Sequence, residues 1–208
     1  MRYRITPTFI ELSNAKVAFS LNETLNAEPL VKFGNFLVRK TVAKKLDLIN
    51  KKLSRINPKY EIVLLEGYRS PEKQKLMFIA EYERLKSIYK NEVELLEAVH
   101  KLVAEPSGAG HPTGGAVDVA ILESGKQFDF GGEYLDFDSP NTPYFTKRKL
   151  SAQQRFNRKL LREVMICEDF IPFNNEWWHF SFGDIEWAYY KSKLGKLPQN
   201  EFLYDQVK

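Results

Sequence analysis

The chain has 208 residues, 43% hydrophobic and 28% charged, a balance that suits a folded domain and excludes wholesale disorder. Lys and Arg number 31 against 27 Asp and Glu, and the formal charge of +4 is too small and scattered for a dedicated nucleic-acid binder. The lone cysteine, Cys167, excludes an intramolecular disulfide and a thiolate-rich zinc cluster. No run reaches the ~18–20 apolar residues of a membrane span. The opening MRYRITPTFIELSN lacks the apolar stretch and cleavage site of a signal peptide. The expectation is one cytoplasmic domain over residues 1–208, with no membrane or nucleic-acid partner and nothing that sets an oligomeric state.

Residues 1–32 alternate short apolar runs with turn formers and read as irregular structure. Phe33 to Asn57 places Leu37, Val38, Val42, Leu46 and Leu48 near helical spacing, with Asn57-Pro58 as the stop. YEIVLL, from Tyr60, reads as a buried strand. Ser70-Pro71 is an N-cap followed by a first-turn proline, opening a helix to about Lys90, and a second helix spans Glu92 to Ala104. Four glycines in SGAGHPTGG make residues 107–115 a loop before the strand AVDVAIL, residues 116–122. Residues 125–143 are loop-rich, Ala152 to Cys167 is a helix, and WHFSF alternates like a strand. Asp184 caps a closing helix to Leu194. Cys167, late in its helix, reads as a small buried apolar residue. Such an order implies an α+β fold, a small central antiparallel or mixed sheet with helices packed around it.

Three histidines occur, and two stand in unusual contexts. His111 lies in the glycine-rich loop, with Asp118 following on the strand that leaves it, and His179 closes Glu-Trp-Trp-His after Glu176. Two imidazoles and a carboxylate can fill three positions around Zn²⁺ and leave the fourth for water. A further, unligated carboxylate can then move protons. Residues three apart face opposite sides of a strand, so Glu176 and His179 converge only if Glu176 precedes the strand or a bulge intervenes. Asn174-Asn175 is a plausible turn for this. Asp118 sits within an apolar strand, where a carboxylate is expensive unless paired. His100, on an amphipathic helix, reads as a surface or packing residue. Arg69, in EGYRS at the end of YEIVLL, either faces a pocket to bind an oxyanion or carboxylate, or pairs with Glu66 or Glu72 at the surface.

GHPTGGAVDVAI resembles the His-x6-Asp zinc motif of the D-alanyl-D-alanine dipeptidases of vancomycin-resistance type, within the zinc D,D-peptidases. EWWHFSF is similar to the family's Glu-x-x-His segment, and EGYRS to its arginine segment, over about residues 60–183. The resemblance implies one Zn²⁺ per chain on His111, Asp118 and His179, Glu176 as general base and acid, and Arg69 stabilising the tetrahedral intermediate. It further implies a small dipeptide substrate, with Ser107, Tyr68, Asp136 and Trp177 near it. Two departures stand out. The family's serine two residues before the first zinc histidine is Ala109 here, with Ser107 further back. Its Met-Gly-Thr segment and following Phe-Asp is FGGEYLDFD, where Asp136 and Asp138 compete to meet the substrate's ammonium. The expected activity is zinc-dependent hydrolysis of D-Ala-D-Ala. Its rivals are a D,D- or L,D-carboxypeptidase or endopeptidase on longer peptidoglycan peptides, and a non-catalytic zinc-dependent peptide binder. A purely structural zinc is weaker, since such sites fill all four positions with protein ligands.

Overall fold

The computed structural model describes residues 8–146, 148–196 and 201–207. From the N-terminus the chain forms α1 (Phe9–Ala18), β1 (Ser20–Leu21), α2 (Glu23–Asn26), β2 (Leu30–Phe33), β3 (Phe36–Arg39), α3 (Lys40–Ile56), β4 (Tyr60–Glu66), α4 (Pro71–Leu85) and α5 (Glu92–His100). Two 3-10 turns, Pro106–Gly108 and His111–Thr113, lead into β5 (Val117–Glu123) and β6 (Lys126–Gln127). Then come α6 (Ala152–Cys167), β7 (Ile171–Pro172), β8 (His179–Ser181), α7 (Ile185–Lys193) and β9 (Glu201–Phe202). The expected α+β class holds. The central sheet runs β4-β5-β8-β7 with β6 beside β5, and every pairing in it is antiparallel.

Helix α3 supports this sheet. Val42, Leu46, Ile49 and Leu53 recur at helical spacing, and all four are fully buried. They join Ile62 and Leu64 of β4 and Leu161 and Met165 of α6 in one core with Trp178 and Phe180. Helices α4 and α5 carry a separate small cluster, Leu85, Leu95 and Val99, with Phe78 and Tyr82 against it.

Several elements differ from the sequence reading. The segment taken as irregular contains α1, opened by a capping box in which Thr8 and Glu11 bond each other's backbone N–H; residues 1–7 lie outside the described residues. The helix expected from Phe33 begins only at Lys40, because Gly34-Asn35 turns β2 back onto β3 with Phe33 opposite Phe36. Two residues of Gly-Asn type between alternating runs is a hairpin signal that outweighs the helical spacing of Leu37 and Val38. Helix α4 stops at Leu85 and α5 at His100, so Leu102, Val103 and Ala104 are free to wall the cavity described below. Cys167 is exposed: on α6, Leu161, Val164 and Met165 form the inner face, and Cys167 falls one turn after exposed Glu163 on the outer one. Asp184 caps α7 as expected, its Oδ1 accepting from the Trp187 N–H at 2.9 Å.

A core leucine that α3 wedges against the sheet leaves a void when truncated. Leu46→Ala should cost about 2–5 kcal/mol in urea unfolding; a loss below about 1 kcal/mol would mean the α3–sheet contact is not what holds the fold. Cys167 should be modified by a thiol reagent in the native protein at the rate of a free thiol, and strong protection would contradict its outward position.

Candidate metal centre

The register of the central sheet builds the site. Asp118 of β5 pairs across one edge with His179 of β8. Across the other edge it faces Glu66, because a bulge between Leu64 and Glu66 advances β4 by one residue. His111 arrives from the 3-10 turn before β5. The three ligand-type atoms of His111, Asp118 and His179 lie within 4.8 Å of one another. The structure thus brings together the three residues that the sequence reading grouped.

Asp118 is 1% exposed. Its Oδ1 lies 2.9 Å from His179 Nδ1 and 3.3 Å from His111 Nε2, and its Oδ2 accepts from the Tyr134 hydroxyl at 3.0 Å. Burial pushes this carboxyl up, but the two imidazoles more than reverse it and hold it well below the usual range. His111 Nδ1 lies 2.8 Å from the Gly67 carbonyl. With Nδ1–H donating there, Nε2 carries the lone pair that faces Asp118. A β-carbon at Gly67 would stand 2.5 Å from the Leu37 carbonyl, so only glycine lets β3 pass this close behind the site.

Glu176 ends the turn before β8, so the bulge considered from its spacing is not needed. Its Oε2 lies 3.9 Å from His179 Nδ1 and the residue is buried. Burial, then the charge of Asp118, raises its proton affinity well above that of an ordinary glutamate, and Arg69 opposes them in part. Arg69 resolves its two sequence readings together. It pairs with Glu66 rather than Glu72, but in the interior and on the cavity wall. Its Nε donates to Glu66 Oε1 at 3.0 Å, Nη2 to Oε2, and Nη1 to Gln74 Oε1 at 2.8 Å. A guanidinium has five N–H donors, so two remain. Burial raises Glu66 and the Arg69 contact lowers it further than that, leaving an ionised pair.

The cavity is walled by His111, Asp118, Glu176, His179, Arg69 and Glu186 among others. His100 also reaches it, buried, a packing residue as expected. The other expected substrate neighbours stand elsewhere. Ser107 bonds Glu105 and lies with Tyr68 in a surface depression beside Lys16 and Asp205. Trp177 is 2% exposed and stacks on Phe130 at 4.1 Å, a core role. Asp136 is exposed, and Asp138 is exposed beside Arg84 at 3.5 Å, while Leu135 and Phe137 turn into the cavity instead. Ala109 lines the cavity without a hydroxyl.

Three participants escaped the sequence reading. Tyr134 bridges Asp118 and Glu66, 3.5 Å from Glu66 Oε2, and no local pattern marks a tyrosine in a loop for that role. Glu186 could have been found by the logic applied to Asp118, since it stands between Ile185 and Trp187. Arg39 fixes the histidine turn. It donates from Nε to the Thr113 carbonyl at 2.6 Å and from Nη2 to the Asp205 carbonyl at 3.2 Å, and its backbone N–H bonds Gly114. Gly114 has φ +72°, which a β-branched or bulky residue would resist.

Tyr134 orients the carboxylate that the two histidines share. Tyr134→Phe should weaken binding of Zn²⁺, used as the probe in competition with a chromophoric chelator, by about 10–100-fold. Unchanged affinity would show that the histidines alone orient Asp118.

The profile of the D-ala-D-ala dipeptidase family matches residues 30–198. A D-alanyl-D-alanine dipeptidase of Synechocystis sp. is 26% identical over 196 residues, 83% of this chain and 79% of that protein. Among solved structures, VanYB in complex with D-alanine-D-alanine superposes with a TM-score of 0.50 at 20% identity, covering 82% of this chain and 84% of that one. A vancomycin-resistance D,D-pentapeptidase VanY, solved with Zn(II), gives 0.48 at 18% identity, covering 80% and 84%. Among the described residues no helix is long and apolar enough to cross a membrane. With the family profile spanning both imidazoles, the carboxylate between them and Glu176, the chain belongs to the D-ala-D-ala dipeptidase family and is a metallopeptidase.

Proposed function

We propose that the protein hydrolyses the D-alanyl-D-alanine dipeptide with one Zn²⁺ held by His111, Asp118 and His179. The observation that carries the reading is Glu176: a buried carboxyl beside His179, outside the convergent donor set, with raised proton affinity. A binding or structural site has no use for such a group.

The donor set suits zinc. Two imidazoles and one carboxylate converge, and the Gly67 carbonyl fixes the tautomer of His111. Zn²⁺ there supplies Lewis acidity and makes hydroxide accessible near neutral pH. The chain's own groups do the rest. Glu176 takes the proton of the attacking water and returns it to the leaving amine nitrogen, a role for which an elevated proton affinity is matched. Arg69, immobilised by Glu66 and Gln74, directs its two remaining N–H groups to the oxygen that gains charge in the transition state. Leu135 and Phe137 narrow the cavity on one side and restrict water.

Zinc-loaded protein should release free D-alanine from D-Ala-D-Ala, and Glu176→Gln should lower the rate by about 10²–10⁴-fold while leaving Zn²⁺ bound. No release from the dipeptide, with terminal D-alanine released from longer peptidoglycan peptides instead, would move the substrate to the carboxypeptidase class. Metal binding with neither activity would leave a peptide-binding module.

A further inference from the structure

The loop that carries Tyr134 has no helix or strand of its own to hold it: residues 128–146, between β6 and α6, contain no regular element. Yet Tyr134 reaches Asp118 and Glu66 from the middle of this loop. Leu135, next to it, takes φ +62°, a left-handed conformation that a leucine keeps only where its surroundings enforce it. The enforcing contacts come from α6. Arg158 is 3% exposed, and its guanidinium donates to main-chain carbonyls at both ends of the loop. Nε bonds Phe130 at 2.6 Å, Nη1 bonds Pro143 at 2.7 Å and Tyr144 at 3.4 Å, and Nη2 bonds Asn141. The preceding Asn157 donates to the Asp129 carbonyl at 2.7 Å. The far end of the loop is bonded in turn to the segment that bears Glu176. The Tyr144 N–H donates to the Asn174 carbonyl at 3.0 Å, and the Trp177 N–H to the Thr142 carbonyl at 3.0 Å.

We infer that Arg158, seconded by Asn157, is a positioning residue for the metal centre: it pins the two ends of the loop together and so sets Tyr134 against Asp118. Its bearing on the metal rests on the reading of Asp118 as a zinc ligand proposed above. The acceptors are neutral carbonyls, so the cation is not there to balance a carboxylate, and what it provides is geometry. A planar guanidinium fork reaches carbonyls in several directions at once, whereas a lysine ammonium on its flexible stem is a single point and cannot bridge the same span. With the ends released, the loop gains conformational freedom, and the Tyr134 hydroxyl must bond Asp118 against that entropy. Arg158 bonds the loop and none of the three candidate ligands, so its effect on metal affinity passes through Tyr134.

The test is a double-mutant cycle of Arg158→Lys and Tyr134→Phe, read as Zn²⁺ affinity in competition with a chromophoric chelator, with hydrogen exchange of the metal-free proteins alongside. Arg158→Lys keeps the charge and removes the fork. It should weaken Zn²⁺ binding about 10-fold in the native background and less than about 3-fold once Tyr134 is phenylalanine. Exchange should quicken at least about 10-fold over residues 130–146, with α3 and β4 unchanged. Equal losses in the two backgrounds, unchanged affinity, or acceleration throughout the molecule overturns the positioning role. Should Arg158→Lys not fold, Asn157→Ala takes its place in the cycle. Its loss of about 5-fold should fall below about 2-fold beside Tyr134→Phe, and a loss that does not fall overturns the role equally. A native protein that binds no Zn²⁺ would sink the metal reading instead. The exchange of residues 130–146 then decides the clamp by itself, unchanged rates overturning it.

Discussion

A single buried carboxylate organises this molecule. Asp118 stands in the buried run Val117–Ile121 of β5, among valine, alanine and isoleucine, and an isolated charge there would cost several kcal/mol. It is tolerated because two imidazoles and a hydroxyl converge on it from three separate elements: His111 from the 3-10 turn, His179 from β8 and Tyr134 from the loop after β6. The fold can therefore close only in one register. Slipping β8 by one residue would turn His179 to the opposite face and orphan Asp118 in the interior. The same pairing that satisfies the charge brings the candidate metal-ligand side chains together, so folding and site formation are one event.

Rigidity behind the site comes from polar contacts rather than from the apolar core. Arg39 ties the Thr113 carbonyl, the α2 end and the C-terminal segment to β3, with the Tyr204 ring 5.0 Å from its guanidinium. The Val207 N–H bonds the Pro112 carbonyl, so the histidine turn is held from both sides. Burying a guanidinium is worthwhile only when its donors are met, and Arg39 donates to four backbone carbonyls and to the Asn26 side-chain amide oxygen. The result is a short turn with little local propensity that nevertheless presents His111 in a fixed rotamer.

The parts of this arrangement that sequence exposes are those governed by local rules. Ser70-Pro71, Ser151 and Asp184 cap helices where their chemistry requires, and α6 runs over the span that its apolar period marks. The candidate metal ligands His111 and Asp118 were legible because each violates its surroundings: a histidine among glycines, a carboxylate in an apolar strand. What was not legible depends on long-range contact. The hairpin of β2 and β3 was hidden under a helical spacing that two residues of turn chemistry overrode. Tyr134 and Arg39 owe their roles to partners 16 and 74 residues away, which no window along the chain reveals. Trp177 and Ser107 lie next to ligand or loop motifs in sequence yet face the core and the surface, since adjacency along a strand or turn says little about which side a side chain takes.

Two glutamates in one cavity, both with raised proton affinity, illustrate how surroundings and not residue type divide labour. Glu176 lies in the field of Asp118, which raises its proton affinity, and of Arg69, which lowers it. Glu186, in the first turn of α7, is raised by burial and by Asp184 instead. The two carboxyls are carried by the turn before β8 and the first turn of α7, so each takes its proton affinity from different neighbours. Strand β8, which carries His179, and the short connection that leads into the cap Asp184 set how the two carboxyls stand in the cavity wall.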